Sequence, residues 1–512
     1  MGYPIIIQGG LGAGVSNWLL AKAVARAGQL GVVSGTALDS ILVRRLQEGD
    51  PEGHRRRALE HFPVPELAQR VVAQYFIPGG KAATASYKRI PAYTATPSLA
   101  LQQLTVMANF VEIFLAKEGH EGVVGMNYLE KIQMPNLASI YGAMLAGVDY
   151  VCMGAGIPRE IPGILDSLVH HEEISLKLLV EGAAGADNYR MRFDPQKVIG
   201  GALPPLRRPL FLAIIASATL AVSLARKASG KVDGFVVEGA TAGGHNAPPR
   251  GPLQLSEKGE PVYGPKDEVD LQKIKDLGRP FWLAGSYGSR EQLIRALELG
   301  AQGVQVGTAF AFCRESALAE NVKRQLLRKT LAGEGEVFAD PIASPTGFPF
   351  KVCRLEGTLS EEEVYAARPR MCGLSYLRHV YKKPDGSLGY RCPAEPVDAY
   401  VRKGGQVEDT IGRKCLCNSL LANIGLPERQ QAGYVEKPLV TAGEDFHELP
   451  QFTGNDRLSY SAEEVIRHLL PCCPPEKVPP RRNLRSAGAQ GATRETRLQQ
   501  DERLQDRPTE PG

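Results

Sequence analysis

One histidine in the chain follows an apolar segment and a pair of adjacent glycines. The segment reads Val236-Val237-Glu238-Gly239-Ala240-Thr241-Ala242-Gly243-Gly244-His245-Asn246. Adjacent glycines let a backbone approach a planar ring closely, and a histidine beyond them can accept a proton or stabilise an anion. The alternative is a structural histidine that only hydrogen-bonds its own loop. The preceding strand and the glycine pair favour a catalytic role for His245.

Two glycine-containing turns form a second group of candidates. Leu283-Ala284-Gly285-Ser286-Tyr287-Gly288 precedes a helical pattern, and Gly303-Val304-Gln305-Val306-Gly307-Thr308 follows it. Turns of this kind expose backbone N–H groups that bind phosphate, although ordinary tight turns also favour Gly and Ser. Because the two turns end neighbouring predicted strands, together they predict a phosphate site at Gly285, Ser286, Gly307 and Thr308.

A third glycine-rich segment, Gln8-Gly9-Gly10-Leu11-Gly12-Ala13-Gly14-Val15-Ser16, follows the first apolar run. It does not fit the dinucleotide-binding pattern, because Val15 stands where the last glycine of G-x-G-x-x-G belongs. No acidic residue closes the second predicted strand either. We expect this flexible loop to lie along one face of a flat ring system.

Four cysteines in the last third of the chain are candidate metal ligands. Cys372, Cys392, Cys415 and Cys417 could hold a zinc ion or an iron–sulfur cluster through four thiolates. Their spacing argues against this, because one residue separates the last two, whereas zinc and cluster loops have two to four. Reduced thiols are the favoured interpretation.

Eight short apolar runs would have to position these candidates, and they alternate with helical patterns up to about Cys313. Their length and continuous apolar character indicate strands buried on both faces of a parallel sheet. The eight runs are Pro4–Gln8, Gly31–Ser34, Gly122–Met126, Val148–Met153, Leu210–Ile215, Gly234–Glu238, Pro280–Ala284 and Gly303–Val306. Eight such units predict an α/β fold, a (β/α)8 TIM barrel, with its reactive groups at the carboxyl ends of the strands.

Helical patterns between the runs end at glycines suited to a left-handed C-terminal cap. The predicted helices include Asn17–Ala27, Leu137–Ala146 and Arg290–Leu299. Two connections are much longer than the others, so we expect insertions at about 50–120 and 155–208, holding extra helices or a lid.

The domain prediction has three parts. Residues 1–330 form the barrel with its two insertions, and residues 331–470 form an appended region that contains the four cysteines. From 474 to 512 the chain is rich in Pro, Arg, Gln and Glu, with almost no aromatic residues. Such a composition buries too little apolar surface to fold, and it predicts a disordered tail.

Composition excludes several classes of function. The 512 residues carry a formal net charge of +4, too small to indicate nucleic-acid binding. We expect no membrane-spanning segment, since no stretch approaches the length of about 18 apolar residues that a span requires. Nine cysteines without an export signal indicate reduced thiols and a cytoplasmic protein.

These motifs resemble those of the nitronate monooxygenase family, formerly called 2-nitropropane dioxygenases, whose members are FMN-dependent barrels. The resemblance covers about Pro4 to Arg328. It rests on the opening glycine-rich strand, Gly125-Met126-Asn127, Ala242-Gly243-Gly244-His245, and the region from Ala284-Gly285 to Gly307-Thr308.

The resemblance implies an FMN site with roles for individual residues. Those lining or bonding the flavin would be Gly9, Gly10, Asn127, Glu238, Gly243 and Gly244. Those holding its phosphate would be Gly285, Ser286, Gly307 and Thr308, and His245 would be the catalytic base.

The chain departs from the family pattern at three of its positions. Glu238 stands where the family has Gln, Thr241 where it has Glu, and Ser286 where it has a second Gly. An ionised Glu238 can only accept hydrogen bonds, so we expect it to pair with the flavin N3–H rather than a carbonyl. The departures affect the expected substrate more than the cofactor.

The activity implied is oxidation of an alkyl nitronate or nitroalkane with FMN and oxygen, yielding a carbonyl compound and nitrite. The partners would be the small substrate and oxygen, with a possible homo-oligomer. One alternative is an FMN-dependent NAD(P)H enoyl-thioester reductase of the same barrel type, in which Asn246-Ala247-Pro248-Pro249-Arg250 lines an acyl channel and Arg250 meets a carrier phosphate. Another is a non-catalytic flavin-binding module.

Overall fold

The computed structural model describes residues 2–430, 433–453 and 457–470. Within them strands and helices alternate through the first two thirds of the chain. The strands are β1 Ile6–Gln8, β2 Gly31–Ser34, β3 Val124–Leu129, β4 Tyr150–Gly154, β5 Ile174–Lys177, β6 Val180–Glu181, β7 Arg190–Phe193, β8 Leu210–Ile215, β9 Gly234–Glu238, β10 Phe281–Ala284, β11 Gly303–Val306, β12 Val337–Asp340, β13 Phe350–Cys353, β14 His379–Lys382 and β15 Leu388–Arg391.

The helices cover the outside of the sheet and fill the long connections. They are α1 Trp18–Arg26, α2 Leu38–Gln47, α3 His54–Glu60, α4 Pro65–Tyr75, α5 Leu99–Lys117, α6 Gln133–Leu145, α7 Ile161–Leu168, α8 Pro195–Val198, α9 Ala218–Lys227, α10 Leu271–Lys275, α11 Arg290–Glu298, α12 Thr308–Ala311, α13 Glu320–Leu331, α14 Glu362–Ala366, α15 Val397–Arg402, α16 Leu416–Asn423, α17 Pro450–Thr453 and α18 Ala462–Leu469, with 3₁₀ helices at Glu408–Thr410 and Glu444–Glu448.

Eight parallel strands form the predicted barrel. Their order is β1-β11-β10-β9-β8-β4-β3-β2. The two ends of this sheet meet at Ile7 and Leu30, where Gln8 N–H donates to the Leu30 carbonyl at 2.9 Å and Leu30 N–H donates to the Ile6 carbonyl at 3.1 Å. The fold is therefore a (β/α)8 barrel, and the prediction of the fold class is confirmed.

Alternate residues of the barrel strands pack in two directions. One set, which includes Phe211 and Phe235, joins the large apolar core that the helices share. The other, which includes Val32, Val236 and Trp282, forms a separate apolar cluster. Alternation of this kind fills a barrel interior with side chains while its outer face binds the helices.

Four barrel strands have the predicted bounds, and the other four begin one or two residues later than predicted. At the first strand the reason is a side chain: the Gln29 Oε1 accepts the N–H groups of Ile5 and Ile6, at 3.2 and 2.8 Å, in place of a neighbouring strand. The third strand also ends at Leu129, three residues beyond the prediction, so that Asn127 lies inside it.

The predicted helix caps are present at α1. The Asn17 side chain accepts the Leu20 N–H at 3.0 Å, and Gly28 adopts a left-handed φ of 76° just past the end. The predicted helix Leu137–Ala146 is the less accurate case, because α6 begins four residues earlier, at Gln133.

The first insertion holds helices α3 to α5, and α5 corrects one expectation. This 19-residue helix is long and apolar enough to cross a membrane by length and composition, although no such stretch was expected. It packs against α6, α2 and α1, and 72% of its most apolar stretch is buried. Its apolar character is therefore that of a core helix, buried on several sides at once.

The second insertion and the appended region share a sheet. β6 of the insertion pairs with β14, and β14 with β15, in a three-stranded sheet. The appended region also returns to the barrel, where α18 packs against α1 and α11. Apolar residues of both parts, such as Leu176 and Val440, belong to the large core. The predicted disordered tail, residues 474–512, lies outside the described residues.

Candidate active site

A cavity of about 210 Å³ opens at the carboxyl ends of the barrel strands. This is the end at which barrel enzymes carry their reactive groups. All eleven residues that the sequence predicts for the flavin and its chemistry line it: Gly9, Gly10, Asn127, Glu238, Gly243, Gly244, His245, Gly285, Ser286, Gly307 and Thr308. Residues from distant parts of the chain are thus brought to one place.

His245 follows β9 and turns its ring toward the appended region. Its Nε2 lies 2.7 Å from the Ser344 Oγ, and the Phe350 ring meets it edge-on at 4.9 Å between centroids. Burial, with a smaller contribution from the Lys131 cation, lowers the pKa of His245 to about 4. The imidazole is therefore neutral near pH 7 and has an acceptor nitrogen available, as a base or a hydrogen-bonding group requires.

Glu238 is the last residue of β9, and its side chain has no hydrogen-bond or ion-pair partner among the described residues. Burial raises the pKa of its carboxyl to about 7. Near neutral pH the group therefore exists in both forms, and the protonated form can donate a hydrogen bond. This widens the expectation from the sequence, in which Glu238 could only accept.

Asn127 lies in β3 beside the opening loop. A Cβ on Gly10 would lie 2.3 Å from the Asn127 Cβ, so only glycine permits this approach. The Asn127 Oδ1 is buried without a hydrogen-bond partner. An orphaned buried acceptor costs free energy, and at the wall of a cavity it marks a position where a ligand can donate.

The predicted phosphate turns have the expected backbone conformation, but the Thr308 hydroxyl is already hydrogen-bonded to the protein. Gly285 and Ser286 both have positive φ, 98° and 55°, so Ser286 occupies a conformation that glycine prefers. The Thr308 Oγ1 donates to Asp445 at 2.6 Å and accepts the Gly443 N–H at 2.9 Å. Its hydroxyl is therefore already bonded within the protein.

Sequence reasoning missed the contribution of the appended region to this cavity. The segment Thr441-Ala442-Gly443-Glu444-Asp445 docks on the turn before His245. Gly244 N–H donates to the Thr441 Oγ1 at 2.8 Å, and Glu444 N–H donates to the Thr241 carbonyl at 2.9 Å. One signal was available, since the triplet Thr-Ala-Gly occurs at both 241–243 and 441–443.

The charges of the cavity are unusual for an anion site. Among the described residues, no Lys or Arg lines the cavity. Two carboxyl groups line it, those of Glu238 and Asp445. Burial also raises the pKa of Asp445, against the opposing effect of the Thr308 hydrogen bond. Both carboxyls thus lose charge more readily than in water, which reduces the repulsion of an anionic ligand.

The four candidate metal-ligating cysteines lie together, away from the barrel cavity. All four line a second, smaller cavity in the appended region: Cys372, Cys392, Cys415 and Cys417. Within the described residues, no three His, Cys, Asp or Glu side chains are already arranged around a single ion.

A (β/α)8 barrel with a histidine, two buried carboxyls and glycine turns around a cavity at the strand ends belongs to the class of barrel proteins that bind a ligand there. Residues 208–335, from β8 to α13, match the family model "Nitronate monooxygenase". Over this segment, about a quarter of its length, the chain is similar to the nitronate monooxygenase family.

Curated relatives match over short stretches. The chain is 40% identical over 85 residues to the probable nitronate monooxygenase of Bacillus subtilis (strain 168), covering 17% of this chain and 23% of that protein. It is 32% identical over 124 residues to the nitronate monooxygenase of Paraburkholderia phytofirmans, 23% and 30% of the two chains. It is also 30% identical over 145 residues to a carboxyl-CoA dehydrogenase of Mycobacterium tuberculosis. This match covers 28% of this chain and 36% of that protein. The chain thus spans about a quarter to a third of these relatives' lengths.

Two solved structures align over most of the chain with low similarity. The nitroalkane oxidase of Streptomyces ansochromogenes has 14% identity and a TM-score of 0.45, covering 91% of this chain and 94% of that one. FabK of Thermotoga maritima has 16% identity and a TM-score of 0.43, covering 91% of each chain.

Proposed function

We propose that this protein is a flavin-dependent oxidoreductase that binds FMN and oxidises alkyl nitronates with oxygen to a carbonyl compound and nitrite. The observation that carries the proposal is the convergence of all eleven expected residues on one cavity at the carboxyl ends of the strands. The family model and two relatives named as nitronate monooxygenases support it.

The residues of the cavity suit the ring of a flavin. The orphaned Asn127 Oδ1 can accept an N–H from a bound ring, and the unpartnered Glu238 can donate or accept. The opening loop leaves a flat, side-chain-free wall at Gly9 and Gly10. When bound, the flavin would supply the electron transfer between substrate and oxygen.

The phosphate of FMN would lie at the Gly285-Ser286 and Gly307-Thr308 turns. Without a Lys or Arg in the described lining, backbone N–H groups have to bind the anion, as they do in other glycine turns. The nearby Asp445 carboxyl opposes this when ionised, so the proposal requires Asp445 to be protonated or turned away when the cofactor is bound.

His245 is the residue we assign to the substrate. With a neutral nitroalkane its neutral imidazole would remove the α-proton, and with an anionic nitronate it would donate a hydrogen bond instead. The Ser344 hydroxyl at Nε2 keeps the ring in one orientation. Packing by Phe350 excludes water from one face of the ring.

The alternative reductase loses one of its supports in the structure. Arg250 was expected to meet a carrier phosphate, but it does not line the cavity, and its guanidinium donates to the carbonyls of Lys266 and Ala216 at 2.6 and 2.9 Å. The relative named as a carboxyl-CoA dehydrogenase still favours testing a thioester substrate. A flavin-binding module without catalysis is the third outcome.

The test is an absorbance spectrum of the purified protein followed by two anaerobic titrations, one with propyl-2-nitronate and one with NADPH. Bleaching of the flavin by the nitronate alone supports the proposal. Bleaching by NADPH, reversed by an enoyl-thioester, supports the reductase. A yellow protein reduced by neither is a binding module, and a colourless protein that cannot be loaded with FMN overturns all three.

A further inference from the structure

We propose that Cys372, Cys392, Cys415 and Cys417 form a tetrathiolate metal centre in the appended region, with an iron–sulfur cluster as the favoured occupant. Their spacing in the sequence argued against a metal site. The fold removes that objection, because ligands from three separate stretches of the chain meet at one cavity. This inference does not depend on the proposed function of the barrel.

Three of the four cysteines lie at the ends of regular elements. Cys392 directly follows β15, Cys415 is the N-cap residue of α16, and Cys417 lies in its first turn. Cys372 lies in the loop that follows α14, where its sulfur is 3.4 Å from the Ser375 Oγ. Three of the four already pack against each other, with Ala394 as their only other neighbour in that cluster.

Two cations lie near the cysteines and would stabilise thiolates. Arg378 lines the cavity itself, and the Arg368 guanidinium opposes the effect of burial, which raises the pKa of the Cys415 thiol. Cys415 and Cys417 sit at the positive end of α16, where a helix stabilises negative charge. Four thiolates would otherwise repel one another strongly in a buried site.

The geometry favours a cluster over a single zinc ion. No three of the described ligand side chains surround a common ion position. A four-iron cluster accepts more widely separated thiolates than one tetrahedral ion does, because each sulfur binds a different iron. The cavity between the thiols has a volume of about 10 Å³, so binding of a cluster requires the surrounding segments to move apart.

The centre would lie close behind the barrel cavity. Pro345 lines the cysteine site, and its neighbour Ser344 contacts His245. Helix α16 carries Cys417 at one end, while Leu420, one turn further along it, lines the barrel cavity. Three residues of helix advance about 4.5 Å, so the two sites share a wall.

The experiment is metal and acid-labile sulfide analysis of the full chain purified without oxygen, with low-temperature EPR after dithionite reduction. We expect about four iron and four sulfide per chain. In Cys392→Ala and Cys417→Ala, iron should fall at least tenfold. Cys353→Ala is the matched control, because it removes a buried thiol of the same region outside the site and should keep the metal.

Each other result has a defined meaning. Stoichiometric zinc that is lost in the same two variants keeps the tetrathiolate site and overturns the cluster as its occupant. Absence of both metals from the wild-type protein after anaerobic reconstitution with iron and sulfide overturns the site. Equal iron in the wild type and in both variants also overturns it. Circular dichroism of each variant shows whether the chain has folded.

Discussion

At the scale of single residues, burial changes the pKa values of two side chains that line the cavity, His245 and Glu238. His245 is held neutral and Glu238 is partly protonated near pH 7, so the cavity contains two groups that can each exchange a proton. Pairs of titratable groups with displaced pKa values are a frequent mark of catalytic sites.

Replacing His245 by Asn should separate catalysis from binding. The turn glycines shape the ring site through their backbone, so we expect flavin content to stay unchanged. Turnover of a neutral nitroalkane should fall by about 10²- to 10⁴-fold, the usual effect of losing a positioned base. Turnover of the preformed nitronate should fall much less, as steady-state assays with both substrates would show.

Ser344→Ala is the control for this variant, because it removes the Nε2 partner and leaves the ring. It should reduce nitroalkane turnover less than His245→Asn does. Equal losses of both substrates in His245→Asn would assign His245 to anion stabilisation, and unchanged rates would leave it a structural residue.

Glu238→Gln should change how stability depends on pH. As pH rises from about 4.5 to about 7, the carboxyl ionises in the unfolded chain but stays protonated in the folded one. The stabilisation that the raised pKa gives below pH 4.5 is thus lost progressively up to pH 7. Gln does not ionise, so its contribution to stability does not change with pH. The unfolding free energy of the variant should therefore rise relative to that of the wild type over this interval, and the difference should be constant above about pH 7.

Urea denaturation of ligand-free protein between pH 5 and 8 measures this difference. Glu268→Gln, which replaces an exposed carboxylate outside the cavity, provides the control and should show no comparable trend. A constant difference between Glu238→Gln and wild type across the interval would mean that Glu238 ionises normally.

At the scale of elements, the turn before His245 and the segment Thr441–Asp445 form a unit that closes the cavity. They exchange two hydrogen bonds, and the Gly243 Cα faces the Ala442–Gly443 peptide. This close packing gives a reason for glycine at position 243 that is independent of a bound flavin ring.

Gly243→Ala should therefore disturb the docked segment. Its new Cβ would lie 2.7 Å from the Ala442 carbonyl carbon, a backbone atom that cannot easily move. We expect a loss of about 1–3 kcal/mol in unfolding free energy, together with reduced flavin binding. Gly239→Ala is the control, since its Cβ would meet nothing closer than 3.5 Å. Equal stability of the two variants would show that the segment is not held at this contact.

Asp445→Asn tests the charge beside the phosphate turns. Removing a carboxylate next to the proposed phosphate position should tighten FMN binding about tenfold, equivalent to about 1.4 kcal/mol. Glu268→Gln removes the same charge at an exposed position outside the cavity and should have little effect. Fluorescence titration of the stripped protein gives both affinities. Weaker binding by Asp445→Asn would mean that this carboxyl supports the cofactor.

Periodicity and turn chemistry predicted the elements of the barrel well. Strands such as Leu210–Ile215 and Gly234–Glu238 are local apolar runs, and their bounds were correct. Ser344 and Asp445 could not be found in this way, because they reach the cavity through contacts made across about a hundred residues or more. The four cysteines were judged by linear spacing, which says nothing of ligands that meet only in the fold.

At the scale of the whole molecule, the barrel and the appended region share one apolar core. Val440, Ala442 and Phe446 belong to the same cluster as the helices of the barrel. A protein with such a core should unfold in one main transition over its described residues.

Truncation after Leu470 should leave folding and flavin binding as in the full chain. The last described helix, α18, ends at Leu469 and packs against α1 and α11, and the composition beyond it offers no core. Melting temperature and flavin content of the two chains provide the comparison. A further truncation after Leu331, which removes the docked segment, should abolish both. Loss of flavin on truncation after Leu470 would show that the tail contributes to the folded protein.

The docking of Thr441–Asp445 on the His245 turn also determines when the binding site can be completed during synthesis. About 200 residues separate the two halves of this wall, which a ribosome translating 5–20 residues per second needs about 10–40 s to add. The eight barrel strands have all left the ribosome well before then, with their cavity still open on one side. Cofactor uptake is therefore expected to follow synthesis of this segment, and the barrel that lacks it is the species that chaperones would meet.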